Sequence, residues 1–162
     1  MSSSPAPRLV IFDCDGVLID SEIIAARAQS RALAEHGIAI TPQEAARRFA
    51  GIPDADMWQT LQDENARVLP EDFPRAYADR LQDTFRQELR ALPGVRETLA
   101  ALRERGIEYC VASSSTPPKL EAALKLVGLW EEFAPHVFST AQVAHGKPAP
   151  DVFPVSYTHL TL

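Results

Sequence analysis

The sequence has only two cysteines, Cys14 and Cys110, so it holds neither a disulfide framework nor a zinc site built from several thiolates. It has no apolar run of about 18 residues, the length that a membrane-spanning helix needs. It also lacks an excess of positive charge, because its formal net charge is -6, which disfavours nucleic-acid binding through phosphates. We therefore expect a cytoplasmic protein with reduced thiols, with no nucleic acid and no membrane among its partners.

The length of 162 residues fits one ordinary domain or a small core with an insert, and the 46% of hydrophobic residues are enough for a core. Three apolar runs predict β-strands, at residues 9–12, 107–112 and 136–140. Helical patterns cover residues 95–105 and the stretch from Pro117 to Gly128, on either side of the second run. Strands that alternate with helices predict an α/β fold with a doubly wound, parallel, Rossmann-like sheet, incomplete at about three strands.

A block with no strand signal interrupts this alternation. Helices are predicted in it at residues 22–36, from Pro42 to near Gly51, at 55–67 and at 72–90. The second of these helices starts with a capping box at Thr41-Pro42-Gln43-Glu44. The sequence therefore predicts an all-helical cap at residues 20–90, inserted into an α/β core made of residues 7–19 and 91–153.

A pair of carboxylates follows the first predicted strand directly. Asp13 and Asp15 stand one residue apart in Asp13-Cys14-Asp15-Gly16-Val17, and residues i and i+2 of a strand point to the same face. Two acids this close repel each other unless a cation lies between them or one of them holds a proton. An Asp-x-Asp pair is commonly just a turn, but at the end of an apolar strand it suits a metal-assisted nucleophile beside a general acid/base.

Two further motifs are expected at the same end of the sheet, where open α/β proteins place their sites. Ser113-Ser114-Ser115 ends the second predicted strand just before a helix, and Gly146-Lys147-Pro148 follows the third. Carboxylates, hydroxyls beside a helix N-terminus and an ammonium group together suit a phosphoryl group. Each assignment has an alternative. Ser113 would only cap the following helix, with Ser114 or Ser115 binding the phosphate in its place. Independently, Lys147 would be an ordinary surface lysine.

Together these motifs resemble the haloacid dehalogenase superfamily. The run Asp13-Cys14-Asp15-Gly16-Val17-Leu18, a hydroxyl after the second strand and Lys147-Pro148 after the third stand in the order typical of it. More narrowly, the chain resembles the branch with a helical cap after the first strand, which holds sugar-phosphate phosphatases and β-phosphoglucomutase. The first motif is most similar to that of 6-phosphogluconate-type phosphatases. The resemblance covers about residues 8–153.

The resemblance implies a Mg²⁺-dependent phosphatase of small phosphorylated metabolites, chiefly sugar phosphates. Asp13 would attack phosphorus and form an aspartyl-phosphate, while Asp15 would protonate the leaving alcohol and then activate water. Mg²⁺ would bind the Asp13 carboxylate and the Asp15 main-chain carbonyl. Ser113, together with Ser114, would bind phosphate oxygens, and Lys147 would offset the growing charge. The cap would close over the substrate and select it, and we expect a monomer.

Two alternatives remain open. The first is a phosphomutase on the same scaffold. Mutases of the similar branch carry a histidine and an arginine where this sequence has Ala25 and Asp54, and an aspartate would repel a second phosphate, so the phosphatase is favoured. The second alternative is a catalytically inactive, truncated fragment.

The last part of the sequence departs from the family pattern. A further strand carrying one or two acids for the metal site is expected after Lys147, but Asp151 is the one acid that follows. Without that strand we expect the first strand to be an exposed edge, and this chain to show little or no turnover. Pro154 is expected to break the helix due after Phe153, and residues 154–162 are predicted to be a non-native tail.

Overall fold

The computed structural model describes residues 7–49 and 52–155. Within them the chain divides into two compact units. The helical unit is Ser21–Leu89, and the α/β unit contains the chain up to Asp20 and again from Arg90 onward.

The α/β unit contains a parallel sheet of three strands, which confirms the predicted fold class. The strands are β1 Leu9–Phe12, β2 Glu108–Ser113 and β3 Val137–Ser139, in the order β1-β2-β3. The central strand β2 is buried from Cys110 onward, as its continuous apolar run requires, whereas all four residues of β1 are half-buried. Among the described residues β1 is therefore an edge strand, as predicted.

Helices account for most of the remaining described chain. They are α1 Ser21–Ala34, α2 Pro42–Phe49, α3 Asp54–Asn65, α4 Phe73–Glu88, α5 Val95–Glu104, α6 Pro117–Leu126 and α7 Trp130–Phe133, followed by a 3₁₀-helix at Thr140–Gln142. Helix α7 and the 3₁₀-helix were not predicted, because a single turn is too short to leave a periodic pattern. The end predicted for α2 near Gly51 lies outside the described residues.

The helical unit has an apolar core of its own, built from α1 to α4. Trp58 of α3 packs edge-on against Phe73 and Tyr77 of α4, with ring centroids 5.2 Å apart in both pairs. At the start of α2 the Thr41 hydroxyl accepts a hydrogen bond from the Glu44 N–H at 3.1 Å, so the predicted N-cap is present. The helical unit therefore has its own buried aromatic cluster and a capped helix.

A tight turn connects β1 to the point where the chain leaves the α/β unit. Gly16 adopts a φ of 71° there, and the Leu18 N–H donates to the Cys14 carbonyl at 2.9 Å. The Asp20 carboxylate then accepts the Arg90 N–H at 2.9 Å, while the Asp20 N–H donates to the Arg90 carbonyl at 3.2 Å. Asp20 therefore fastens together the outgoing and returning segments of the chain.

The end of the described chain corrects one expectation. Residues 152–155 form a helical turn that includes Pro154. Proline is tolerated in the first turn of a helix, where its missing N–H has no intrahelical partner to lose, so Pro154 does not break this one. Residues 156–162 of the predicted tail lie outside the described residues. No helix of the described chain has the length and hydrophobicity needed to cross a membrane.

Candidate active site

The carboxyl ends of the strands bring together the acidic pair, a serine and the lysine. The Lys147 ammonium lies 3.0 Å from Oδ1 of Asp13. The Ser115 hydroxyl donates to Oδ2 of Asp15 at 3.0 Å. All four residues belong to the α/β unit, and parallel strands carry their C-terminal ends to one edge, which explains how distant segments meet.

The two oxygens of Asp13 have different surroundings. Oδ1 accepts the Cys14 N–H at 2.8 Å and also faces the Lys147 ammonium. Oδ2 has no hydrogen-bond partner within the described part of the chain, and the side chain is 45% exposed. One oxygen is thus held in place by two partners, while the other is left open among the described residues.

Lys147 is held by two oxygens, one from the residue that follows β1 and one from β2. Its ammonium donates to the Ala112 carbonyl of β2 at 2.8 Å, in addition to its contact with Asp13. The side chain is only 23% exposed, unlike that of an ordinary surface lysine. Its positive charge is therefore directed at the end of β1.

The three serines after β2 occupy different environments. Ser113 is fully buried, and its hydroxyl oxygen accepts the Ser115 N–H at 3.0 Å, so it shapes the turn. Ser114 is exposed, whereas Ser115 reaches Asp15. The buried Ser139 of β3 donates to the Ser115 carbonyl at 2.7 Å and so supports this turn. Nothing in the local sequence distinguishes Ser115 or Ser139 from their neighbours.

Cys14 lies between the two acids but is not available for chemistry. It is 1% exposed. Burial, followed by the negative charges of Asp15 and Asp13, raises the pKa of the Cys14 thiol to about 12. The thiol is therefore neutral at physiological pH and acts as a packing group.

The site offers part of a metal-binding set. Mg²⁺ prefers oxygen ligands, and the Asp13 carboxylate and the main-chain carbonyl of Asp15 are of that kind. Among the described residues no three His, Cys, Asp or Glu side chains come together as a metal site. The later acid, Asp151, instead pairs with His145, its Oδ2 lying 3.0 Å from the imidazole Nδ1.

A cavity of about 290 Å³ lies within the helical unit. Both Ala25 and Asp54 line it, together with Glu22, Gln29 and the Tyr77 side chain. Burial, with a further contribution from Asp54, raises the pKa of the Tyr77 phenol, which therefore stays protonated. The described residues that line this cavity include two acids and no lysine, arginine or histidine.

Comparison with known proteins assigns the chain to a family. A family model described as haloacid dehalogenase-like hydrolase matches residues 7–153. The chain belongs to the haloacid dehalogenase-like hydrolase family. The expected family membership is thereby confirmed, and the catalytic roles of individual residues in this hydrolase stay predictions.

Several characterised hydrolases and solved structures are similar to the chain. It is 29% identical to 6-phosphogluconate phosphatase of Escherichia coli over 87% of its own length and 63% of that enzyme. It is 32% identical to hexitol phosphatase B of Escherichia coli, over 94% of this chain and 69% of that one. A HAD family hydrolase from Deinococcus radiodurans, crystallised with bound phosphate and sodium, superposes with a TM-score of 0.86 at 31% identity, covering 96% of this chain and 68% of the other. The chain thus spans about two thirds of the length of these proteins, and slightly less for the first.

Proposed function

We propose that the whole protein is a phosphoric monoester hydrolase that acts on small phosphorylated carbohydrates through an aspartyl-phosphate. The observation that carries the proposal is the 3.0 Å approach of the Lys147 ammonium to Asp13, beside the second acid Asp15. Carboxylate, acid and cation are the groups that phosphoryl transfer to a side chain requires. The similarity to phosphatases of phosphorylated carbohydrates supports the choice of substrate class.

In the first half of the reaction, the open oxygen of Asp13 forms a bond to phosphorus. The bond between phosphorus and the ester oxygen breaks, and Asp15, in its protonated form, gives its proton to the leaving alcohol. Lys147 offsets the negative charge that develops on the phosphoryl oxygens. The products of this step are the free alcohol and phosphorylated Asp13.

In the second half, a water molecule attacks the phosphorus of the aspartyl-phosphate. Asp15, now ionised, accepts a proton from that water, and the bond between phosphorus and the Asp13 oxygen breaks. Inorganic phosphate leaves, and both carboxyl groups return to their starting states. The Ser115 hydroxyl, 3.0 Å from Oδ2 of Asp15, orients the acid for both transfers.

The site residues fit Mg²⁺ as cofactor. The Asp13 carboxylate and the Asp15 main-chain carbonyl are the oxygen donors that would hold it. When bound there, Mg²⁺ would supply positive charge that lowers the repulsion between an incoming phosphate and the two carboxylates.

Phosphate binding is proposed for the turn after β2. Ser114 is exposed and able to donate its hydroxyl to a phosphate oxygen. Ser113 is buried, and we propose that it holds the turn in shape by accepting the Ser115 N–H, so that the turn as a whole binds the phosphate. The turn is followed by Thr116 and then by α6, which begins at Pro117. The positive end of the helix dipole favours a bound anion there, although Pro117 and Pro118 have no N–H to donate.

The substrate that we propose carries one phosphate and an otherwise uncharged, hydroxylated body. The sequence supports this, because the mutases that it resembles carry an arginine where this chain has Asp54, and an aspartate disfavours a second anionic group. It also disfavours the mutase alternative, which needs a second phosphate held in the protein. We further propose that the protein acts in the cytoplasm, where its two free cysteines remain reduced.

The test uses the full-length protein and measures phosphate release from a hexitol 6-phosphate with Mg²⁺. We expect turnover that is abolished by Asp13→Asn and by EDTA and is unchanged by Asp79→Asn, which alters an exposed aspartate of α4. Hydroxylamine should trap the acyl phosphate on Asp13. Phosphate release that persists in Asp13→Asn would refute the proposal. The same assay on residues 1–162 tests the inactive-fragment alternative.

A further inference from the structure

The loop that carries Lys147 has little backbone structure of its own. Two of the five residues from Gly146 to Pro150 are prolines, which have no N–H to donate. Among the described residues, the one backbone hydrogen bond inside this stretch runs from the Ala149 N–H to the Gly146 carbonyl, at 3.0 Å. The position of Lys147 therefore depends on contacts from outside the five residues.

A single carboxylate oxygen closes this loop. Oδ2 of Asp151 accepts the main-chain N–H of His145 at 3.1 Å. The same oxygen lies 3.0 Å from Nδ1 of the His145 ring. Asp151, the residue just after Pro150, is thus bonded to His145, the residue just before Gly146. This contact closes the five residues between them into a ring.

The closed loop is anchored on the strand that Lys147 touches. Val152, next to Asp151, is 1% exposed and packs in an apolar cluster with Cys110, Ala112 and Phe138. Ala112 also provides the carbonyl that accepts the Lys147 ammonium at 2.8 Å. Both the anchor of the loop and the side-chain contact of the lysine thus involve Ala112 of β2.

We infer that Asp151 is a positioning residue for Lys147: by clamping His145, it fixes the loop that holds the ammonium beside Asp13. The inference rests on the proposed function, because the proposed function is what gives Lys147 a role in catalysis. Asp151 has no direct part in the reaction. Its contacts are with an amide and an imidazole, so it acts through the loop.

The main test measures kcat and KM in the full-length protein for Asp151→Ala, Asp151→Asn and His145→Ala. For Asp151→Ala we expect kcat to fall by about tenfold, with a smaller change in KM, because a misplaced cation weakens charge stabilisation in the transition state. Asp151→Asn keeps an oxygen that can accept the His145 N–H, so it should recover most of kcat. His145→Ala removes the ring but keeps the backbone bond, and should have the smaller effect. Asp79→Ala, at an exposed site on α4, is the matched control.

A second readout does not depend on turnover. In protein labelled with ¹⁵N-lysine, the Lys147 signal, assigned by its loss in Lys147→Arg, should shift in Asp151→Ala and stay in place in Asp79→Ala. A wild-type protein without phosphatase activity would refute the proposed function, yet the lysine signal would still test the clamp. An unchanged signal together with unchanged kcat in Asp151→Ala would overturn the inference. If Asp151→Ala does not fold, the similarly sized Asp151→Leu, which has no oxygen to accept the His145 N–H, is compared with Asp151→Asn: a lower kcat and a shifted lysine signal in Asp151→Leu support the inference, and an equal kcat and signal in the two variants overturn it.

Discussion

The ammonium of Lys147 lies 3.0 Å from the carboxylate of Asp13, although the two residues stand near opposite ends of the described chain. The lysine is tethered to the Ala112 carbonyl as well, so its charge is held at the edge of the sheet rather than in solvent. An ion pair that is 23% and 45% exposed at its two ends contributes modestly to folding. Its larger effect is expected on the chemistry of a phosphoryl group at Asp13.

Removing the Lys147 charge tests that effect. Lys147→Gln in the full-length protein should lower kcat for phosphate release by about 100-fold, because one oriented charge is lost from the transition state. Steady-state kinetics measure the change. Lys125→Gln, which breaks the exposed Lys125–Glu121 ion pair on α6, is the matched control and should leave kcat within about twofold of wild type. A similar kcat in the two variants would contradict the assigned role.

Ser115 should matter more for the proton transfers than its neighbour Ser114. Ser115→Ala removes the hydroxyl that donates to Asp15, so we expect kcat to fall by about tenfold, as for other lost orienting contacts. Ser114→Ala should mainly raise KM, because Ser114 is proposed to donate its hydroxyl to a phosphate oxygen. The two variants, assayed side by side, control for each other. An unaltered kcat in Ser115→Ala would show that the contact with Asp15 has no catalytic weight.

Asp54 should influence which substrate the whole protein prefers. A hexitol 6-phosphate and 6-phosphogluconate differ by a carboxylate in place of a terminal alcohol group. Asp54→Asn removes one negative charge from the cavity lining and should raise the relative kcat/KM for 6-phosphogluconate by about threefold, a small factor because Asp54 is exposed. Asp56→Asn, on the same helix but outside the lining, should leave the ratio unchanged. An equal ratio in the two variants would remove the support that Asp54 gives to an uncharged substrate body.

Cys14 should make folding stability depend on pH in the alkaline range. Its pKa is about 12 in the folded protein against an ordinary 9.0, so the folded chain holds this proton more tightly than the unfolded chain. The associated stability is present below about pH 9 and is lost as the pH rises towards 12. Between about pH 9 and about pH 10.5 the loss should be about 2 kcal/mol.

Denaturant unfolding of wild type and Cys14→Ala at several pH values measures this contribution. The difference in unfolding free energy between the two proteins should shrink over that pH range, while ionisation of other groups affects both proteins alike. In a Cys110→Ala background, iodoacetamide should label Cys14 only after unfolding. Rapid labelling of the folded protein at about pH 8 would contradict the raised pKa.

Much of the fold could be predicted from local patterns. The first strand lies at the predicted residues 9–12, and the central strand, predicted at 107–112, is Glu108–Ser113. These predictions succeeded because short apolar runs between glycine- or serine-rich turns are characteristic of buried strands. The single turns of α7 and of Thr140–Gln142 were missed because their stability comes from packing and capping rather than from a repeating pattern.

The candidate site, like the fold, could be predicted from the sequence only in part. The pairing of Asp13 with Asp15 could be predicted because both follow one strand, two residues apart. The contacts of Ser115 with Asp15, and of His145 with Asp151, could not, since adjacent serines and exposed histidines look alike in a sequence. Only the three-dimensional path of the turn after β2 and of the loop from His145 to Asp151 distinguishes Ser115 and His145 from similar residues.

The order of residues by itself determined the two acids at the end of β1, the parallel α/β architecture and the family, because each depends on short-range pattern and spacing. Tertiary structure alone decided that Lys147 contacts Asp13, that Ser115 rather than Ser113 reaches Asp15, and that Asp151 bonds to His145 across the loop that carries Lys147. Those contacts depend on strand order, register and loop closure. These are set by packing between segments far apart in the chain, which local residue preferences do not encode.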